Sequence, residues 1–366
     1  MLRKILYSGA VLTLLYSSPA SAFDPFIFNV YAIDGIGTSG QLYGSDFQGI
    51  AGSGGDVYFA NFSLNAINNP SPGTGVSLYS GGNVTYQGGS ISNGGIEATK
   101  NVNLSNSSVS GHVNSGGNVN LTGGTVQGNV KAAGTVTKTN ATVTGTTTQG
   151  QSFVPSVNYG NIASFFKNAS TYYKTQATGS NLNVTNNYGT LTIAGLNAGL
   201  NVLNLTADQY RYYSVTGSGQ TSVYNGTNSG NNHSIKILGP NNAYLVLNVD
   251  GVSMGTFNSL SFDGSSTIGL SSLLINLPNA TSVTLNGGTF GSILAPLASV
   301  TFPNGLVTGN LIADYLYGAG QVNVGAFQGW STTVPEPGTY LILGSTLLAA
   351  AYLMHKRKKQ SVRIKK

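Results

Sequence analysis

The sequence predicts a mainly β fold, namely a right-handed parallel β-helix (solenoid) with one packed α-helix, plus terminal signal and membrane helices. Three observations lead to this prediction. Apolar residues and glycines recur about every 17 residues between positions 81 and 148. The chain has no cysteine, so a backbone hydrogen-bond ladder and an apolar core must hold it together without disulfides. Only 7% of the residues are charged and 40% are hydrophobic, which favours a turn-rich β protein over a disordered chain.

The first segment of the chain, residues 1–22, has the features of a secretory signal peptide. Arg3 and Lys4 give it a positive start, residues 5–16 are apolar, and a small-residue cleavage site ends at Ala22. We therefore expect cleavage after Ala22 and export through the secretion translocon.

The repeat within residues 81–148 consists of four columns in register. Three short strands with turns between them use about 17 residues, which is one coil of a β-solenoid. Side chains alternate along a strand, so the first apolar residue of each coil should point inward, and the glycines should supply a positive-φ turn at each corner. The coils should be right-handed, as parallel crossovers are. The four columns are Val84, Val102, Val119 and Val136; Ile91, Val109, Val126 and Val143; Gly94, Gly111, Gly128 and Gly145; and Ile96, Val113, Val130 and Thr147.

A single helical pattern interrupts the coils. Apolar residues at spacings of three and four predict an amphipathic helix over about residues 156–177, which would cover one face of the solenoid or cap an end. The 17-residue spacing returns between Val283 and Val300, so the coils should resume over about residues 281–325. The predicted β-helix domain therefore spans residues 23–331.

The last segment, residues 332–366, combines three features in a fixed order. Pro335, Glu336 and Pro337 come first, then an apolar run over residues 340–354, and then a basic tail. This order resembles the PEP-CTERM sorting signal of exported bacterial proteins. The apolar run is shorter than the roughly 20 residues that comfortably span a bilayer, and the basic tail favours the cytoplasmic side. The resemblance implies a transient membrane anchor cut near the triplet by an exosortase-type enzyme; the alternative is a permanent C-terminal anchor.

The charge balance changes when the two terminal segments are set aside. Nine of the sixteen Lys and Arg residues lie in those segments, which leaves seven basic residues against ten acidic ones if the chain is cut after Pro337. The remaining chain is mildly acidic. It therefore lacks the basic patch that binding to nucleic acid phosphates requires, and we expect no nucleic-acid partner.

Residues suited to catalysis or metal binding are sparse in the sequence. There is no cysteine and no His pair at ligand spacing, so we expect neither a metal nor another cofactor. His112 lies in a Gly-His-Val corner and should face water. The acids are dispersed, and an enzyme would need two of them, for example Asp250 and Asp263, in one cleft. We expect a protein that is not an enzyme.

Polar side chains that recur at the coil period form the candidate binding site. They can be outward ladders whose amides bond one coil to the next, or a flat polar face that binds sugar polymers or ordered water. The residues are Asn83, Asn101 and Asn118 in one column, and Thr85, Asn103 and Asn120 in the column beside it.

Four short segments resemble the choice-of-anchor A family. They are residues 28–31 (FNVY), 54–57 (GGDV), 286–296 (NGGTFGSILAP) and 307–313 (VTGNLIA). The resemblance covers about residues 28–330 and implies an adhesive domain, similar to ice-binding-like β-helices, that is joined to alternative surface anchors. It implies no catalytic residues.

These expectations together describe an exported cell-surface or biofilm-matrix adhesin. Its partners would be exopolysaccharide or neighbouring surfaces, and its location the cell envelope, the outer surface or the extracellular matrix. Two alternatives stay open, a β-helical carbohydrate-active enzyme and a structural scaffold without a ligand.

Overall fold

The computed structural model describes residues 25–67, 75–187, 190–212, 234–258 and 261–330. The first half of the chain forms short strands that follow one another at nearly constant spacing. They are β1 (Phe28–Ile36), β2 (Tyr43–Phe47), β3 (Ile50–Ser53), β4 (Asp56–Leu64), β5 (Val76–Ser80), β6 (Val84–Ile91), β7 (Gly95–Ala98), β8 (Val102–Val109), β9 (Val113–Ser115), β10 (Val119–Thr122), β11 (Thr125–Val126), β12 (Val130–Ala132), β13 (Val136–Thr139), β14 (Thr142–Val143) and β15 (Thr147–Thr148).

The second half begins with a helix and returns to strands. Its elements are α1 (Tyr159–Thr175), β16 (Asn183–Asn187), β17 (Thr190–Ala194), β18 (Gly199–Thr206), α2 (Ala207–Tyr212), β19 (Ser234–Ile237), β20 (Ala243–Asp250), β21 (Ser253–Asn258), β22 (Ser261–Phe262), β23 (Leu273–Asn276), β24 (Ser282–Phe290), β25 (Ser292–Thr308), β26 (Leu311–Gly318) and β27 (Gln321–Asn323). Short 3-10 helices cover Pro25–Ile27 and Leu270–Ser272.

The predicted valine column is confirmed. Val102 pairs with Val84 on one side and with Val119 on the other, and Val119 pairs in turn with Val136, always between parallel strands. The first three of these side chains are fully buried. Because side chains alternate along a strand, Tyr86 two residues after Val84 is also buried, and the residue between them points outward. The chain is therefore a parallel β-solenoid over this segment, and its right-handed winding stays a prediction.

The solenoid does not follow the order of the chain. β1 pairs with β3 on one side and with β26 on the other, so Val30 lies between Ala51 and Leu311. From β1 the coils run outward through β15, and the chain then starts again at the opposite end with β18 and winds back to β26. The two halves of the sequence meet in the middle of the rod. We call this junction of β26, β1 and β4 the seam.

The predicted helix is confirmed as α1, and it covers a side of the rod. Asn158 caps it by accepting the backbone N–H of Asn161 at 3.0 Å. The helix packs on the strands that carry apolar side chains outward as well as inward, which we call the helix face. These outward side chains are Val202, Val246, Leu274, Leu294, Ile312 and Tyr31, and they are buried with Ile162, Phe165, Phe166, Ala169 and Tyr173 of α1.

Asparagines tie α1 to the same face. Asn276 donates to the backbone carbonyl of Ser170 at 3.0 Å and accepts from the Ser170 hydroxyl at 2.6 Å. Asn248, on the adjacent strand, donates to the carbonyl of Tyr173 at 2.8 Å. Both asparagines are buried, so these bonds replace the water that a polar outward residue would otherwise contact.

The expected positive-φ role of the glycine column was wrong. The φ angles of Gly111 and Gly128 lie outside the left-handed region, and these glycines instead allow close approach between coils. A Cβ on Gly128 would lie 2.4 Å from the Gly111 carbonyl oxygen. Another corner carries the left-handed residues, where Asn and Gly are the types that adopt this conformation readily. This column is Asn61 (φ 49°), Gly88 (72°), Asn106 (51°), Gly123 (68°) and Asn140 (54°).

Other features complete the described part of the chain. β17, β19 and β22 form a separate parallel ladder beside the C-terminal coils, and β16 pairs antiparallel at its edge. None of the helices within the described ranges is long and apolar enough to cross a bilayer. The predicted signal peptide and the predicted membrane helix lie outside the described residues.

The packing of α1 on the helix face can be tested with two leucines of β25, one under the helix and one at the surface. Leu294 is fully buried, whereas Leu297 is 45% exposed. We expect Leu294→Ala to lower the free energy of unfolding by about 2–5 kcal/mol, because it leaves a cavity between the sheet and the helix. Leu297→Ala is the matched control and should change it by no more than about 0.5 kcal/mol. Denaturant unfolding measures both, and equal effects would contradict this packing.

Candidate binding face

A polar surface lies on the first strand segments of the regular coils, which we call the ladder face. Its outward side chains come from β6, β8, β10 and β13, which pair in register without a shift over these residues. The period of the sequence therefore places like side chains one above another, about 4.8 Å apart. One column is Thr85, Asn103, Asn120 and Thr137, and the next is Gln87, Ser105, Thr122 and Thr139.

The first predicted column, Asn83, Asn101 and Asn118, lies at the corner that precedes the ladder face. The Asn83 side-chain oxygen accepts the backbone N–H of Asn101 at 3.2 Å. The Asn101 oxygen accepts the N–H of Asn118 at 2.8 Å in the same way. These side chains therefore bond one coil to the next, which was the first of the two interpretations. Ligand binding by them stays a prediction.

Different residue types complete the corner column at its two ends. Asp56 occupies the position below Asn83 and accepts its backbone N–H at 2.7 Å. Above Asn118, Thr135 donates its backbone N–H to the amide oxygen at 2.9 Å. What the corner requires is thus a side-chain acceptor, which a carboxylate or an amide supplies equally.

The second predicted column, Thr85, Asn103 and Asn120, lies on the ladder face itself. Asn120 donates to the Asn103 side-chain oxygen at 2.8 Å. Thr85 and Asn103 are half-buried, and Asn120 is exposed. These side chains present amide and hydroxyl groups to the solvent at a regular spacing, so the surface can hydrogen-bond a polymer that has hydroxyls along its length. Its role in binding stays a prediction.

His112 belongs to a second ladder, which was not predicted from the sequence. It is half-buried, and its Nδ1 accepts the backbone N–H of Asn129 at 2.8 Å. Asn129 does the same for the N–H of Thr146 at 2.9 Å. The three residues are 17 apart, so the period was visible, but a histidine at an asparagine position hid it. The side chain that we expected to face water is therefore a coil-to-coil acceptor.

Glu97 is a buried carboxyl group on the helix face. Its Oε1 accepts the backbone N–H of Ser156 at 2.8 Å and the Ser156 hydroxyl at 3.0 Å, which fastens the segment that leads into α1. Burial raises the pKa of Glu97, and the bonds from Ser156 lower it in part. Beside it, Lys131, Asn114 and Phe153 help to line a cleft of about 230 Å³.

The acidic residues named above as catalytic candidates accept hydrogen bonds from neighbouring side chains and backbone. Asp263 accepts the backbone N–H and the hydroxyl of Ser265, and these bonds lower the pKa of its carboxyl group. Asp250 accepts from the side chain of Asn279. The described ranges contain no cluster of three or more His, Cys, Asp or Glu residues that could hold a metal ion. The predicted sorting motif (Pro335, Glu336 and Pro337) and the predicted cleavage site at Ala22 lie outside these ranges.

The corner ladder can be tested at Asn101. Asn101→Ala removes the acceptor for the Asn118 N–H and should lower the free energy of unfolding by about 1 kcal/mol. Asn101→Asp keeps the acceptor and should lose less, since Asp56 fills the equivalent position in the coil below. Asn103→Ala, on the neighbouring column, is the control that leaves the corner intact. Urea unfolding decides the point, and an equal loss for Ala and Asp at position 101 would show that the acceptor is unimportant.

The raised pKa of Glu97 predicts a pH-dependent stability. The fold favours the protonated form, so this contribution is fully present below the unfolded pKa, near 4.5, and is lost as the pH rises through the folded pKa. The Glu97→Gln variant cannot titrate there. The thermal unfolding midpoint of the variant should therefore rise relative to that of the wild type as the pH rises from acidic to neutral. Parallel pH profiles of the two proteins would contradict the assignment.

Comparison with known proteins identifies the family. A family model described as "Putative Ice-binding-like adhesive domain" matches residues 17–324, which is most of the chain. Neither the curated proteins nor the solved structures contain a significant match. The match agrees with the adhesive family that the four sequence segments resemble, whereas the PEP-CTERM resemblance of the tail stays a prediction. By its sequence and its parallel coils, the chain belongs to the family of ice-binding-like adhesive domains.

Proposed function

We propose that the protein is an exported surface or matrix adhesin that binds polysaccharide through the ladder face. The observation that carries this proposal is the face itself. Amide and hydroxyl side chains repeat there on a parallel sheet in unbroken register, and Asn120 and Thr137 are exposed. A polymer with hydroxyls at regular intervals can make many weak hydrogen bonds to such a surface at once, and their effects combine through multivalency.

The rigidity of the rod supports this function. The coils are joined by backbone bonds along the strands and by side-chain ladders at the corners, and one continuous cluster of buried apolar residues fills the interior. Because the backbone beneath the outward side chains is already held in register, binding costs little additional backbone entropy. Weak bonds therefore suffice for attachment when many of them form together.

The second candidate function is a scaffold that binds no ligand. The corner asparagines favour it, because their oxygens are already satisfied inside the protein. The two candidate functions differ at the exposed column. An adhesin needs the amide and hydroxyl groups of Asn120 and Thr137, whereas a scaffold needs no particular side chain there. Binding measurements can therefore separate them.

Export and sorting form a second part of the proposal. The N-terminal segment would direct the chain to the translocon, and an exosortase-type enzyme would cut near Pro335, Glu336 and Pro337. Mass spectrometry of the mature protein checks both ends. We expect an N-terminus at Phe23 and a C-terminus near the triplet, and a mature chain that still carries the basic tail would indicate a permanent anchor.

The binding function can be tested with two matched double variants. Asn120→Ala with Thr137→Ala alters the ladder face, whereas Ser108→Ala with Thr142→Ala alters exposed outward residues on another side of the same coils. We expect the first to weaken binding to the host exopolysaccharide by about tenfold, equivalent to about 1.4 kcal/mol, and the second to leave it unchanged. Sedimentation with the purified polymer measures the affinity. No binding by the wild type would favour the scaffold, and release of reducing ends would favour the enzyme alternative.

A further inference from the structure

Three partly exposed tyrosines lie together where the two halves of the chain meet. Tyr315 and Tyr317 are on β26, and Tyr58 is on β4, two coils away. Between them runs β1, whose Gly35 pairs with Tyr315 on one side and with Asp56 on the other. More than 250 positions separate the tyrosines of the two strands in the sequence, so only the seam brings them together. We call Tyr58, Tyr315 and Tyr317 the seam tyrosines.

The rings of Tyr315 and Tyr317 are arranged by the backbone beneath them. Their centroids are 5.8 Å apart and their planes differ by only 7°. A Cβ on Gly35 would lie 2.9 Å from Cε1 of Tyr315, so the ring lies against a position that has no side chain. Glycine at position 35 therefore provides the space in which this ring crosses the seam.

The seam tyrosines differ from the tyrosines that serve the core. Tyr43 and Tyr86 are fully buried, and their hydroxyls donate to the backbone carbonyls of Gly320 at 2.6 Å and Phe62 at 2.7 Å. That is the usual arrangement of a tyrosine that packs its ring and satisfies its hydroxyl. Tyr315 and Tyr317 are instead only half-buried.

Carboxylates lie near Tyr315 and Tyr58. The pKa of Tyr315 is raised by burial and by the negative charges of Asp34, Asp314 and Asp56. Asp56 also accepts a hydrogen bond from the Tyr58 hydroxyl at 3.2 Å. The positive charge of Lys167 lowers the pKa of Asp314 in part, against the effect of burial. The surface therefore combines partly exposed tyrosines with acceptors for hydroxyl protons, and its charge is negative.

We propose that the seam tyrosines form a saccharide-binding site for a polysaccharide that carries no acidic groups. A sugar ring presents C–H groups on one face, which pack on the negative face of an aromatic ring, while its hydroxyls at the edge donate to carboxylates. Acidic sugars would be repelled by the three aspartates. This inference rests on the proposed adhesive function and gives it a location and a ligand class. The site continues the ladder face, because Thr85 of its outward column pairs with Tyr58.

The experiment measures binding of the mature protein to neutral polymers, mixed-linkage β-glucan and galactomannan, and to an acidic polymer, alginate. Affinity electrophoresis in native gels gives the dissociation constants. We expect the wild type to bind a neutral polymer, and Tyr317→Ala to weaken that binding by about tenfold or more. Tyr317→Phe keeps the ring and should bind nearly as well as the wild type. Asp34→Asn should raise the affinity for alginate, because it removes an exposed negative charge beside the site.

The outcomes test the site, the ligand class and the adhesive function separately. Binding by the wild type that Tyr315→Ala and Tyr317→Ala leave intact would overturn the site but keep the adhesive function. Binding to alginate at least as tight as to the neutral polymers would overturn the ligand class. A wild type that binds none of these polymers, nor the host exopolysaccharide, would overturn both proposals. Thermal unfolding of each variant is the control that distinguishes a loss of binding from a loss of fold.

Discussion

The structure depends on one constraint, the in-register parallel pairing of each coil with the next. Each strand of the regular coils takes its backbone hydrogen bonds from the coils on either side, so a residue at one position lies directly over its counterpart. A slip of one residue would exchange the inward and outward faces of an entire strand. Valine over valine inside, and acceptor over N–H at the corners, are both consequences of this pairing, and both also hold it in place.

The regular coils could be predicted because their repeat length is nearly constant. The valine column and the helix α1 follow from local spacing alone, and the structure agrees with both. The seam could not be predicted in this way, since no period relates Val30 to Leu311 and their pairing depends on how the second half of the chain winds back. The left-handed corner was also missed. Asn and Gly alternate there, so a search for a column of a single residue type passes over it.

The candidate site shows a similar limit. Alternation along a strand predicts which side chains point outward, but it does not predict their hydrogen-bond partners. Asn101 and Asn103 therefore looked equivalent in the sequence, although one serves a backbone N–H of the next coil and the other lies on the open face. The seam tyrosines gave no signal at all, because Tyr58 and Tyr315 become neighbours only through the closing of the rod.

The two ends of the described chain also meet beside the seam. Phe26, near the first described residue, stacks on Trp330, the last one, with ring centroids 5.3 Å apart. Trp330 in turn packs beside Phe166 and Tyr173 of α1, so both ends of the described chain lie on the helix face. The described part of the chain therefore ends at the side of the rod, near its middle. The ladder face and the seam tyrosines belong to a different side of the coils, and attachment through the tail would leave them free to contact a polymer.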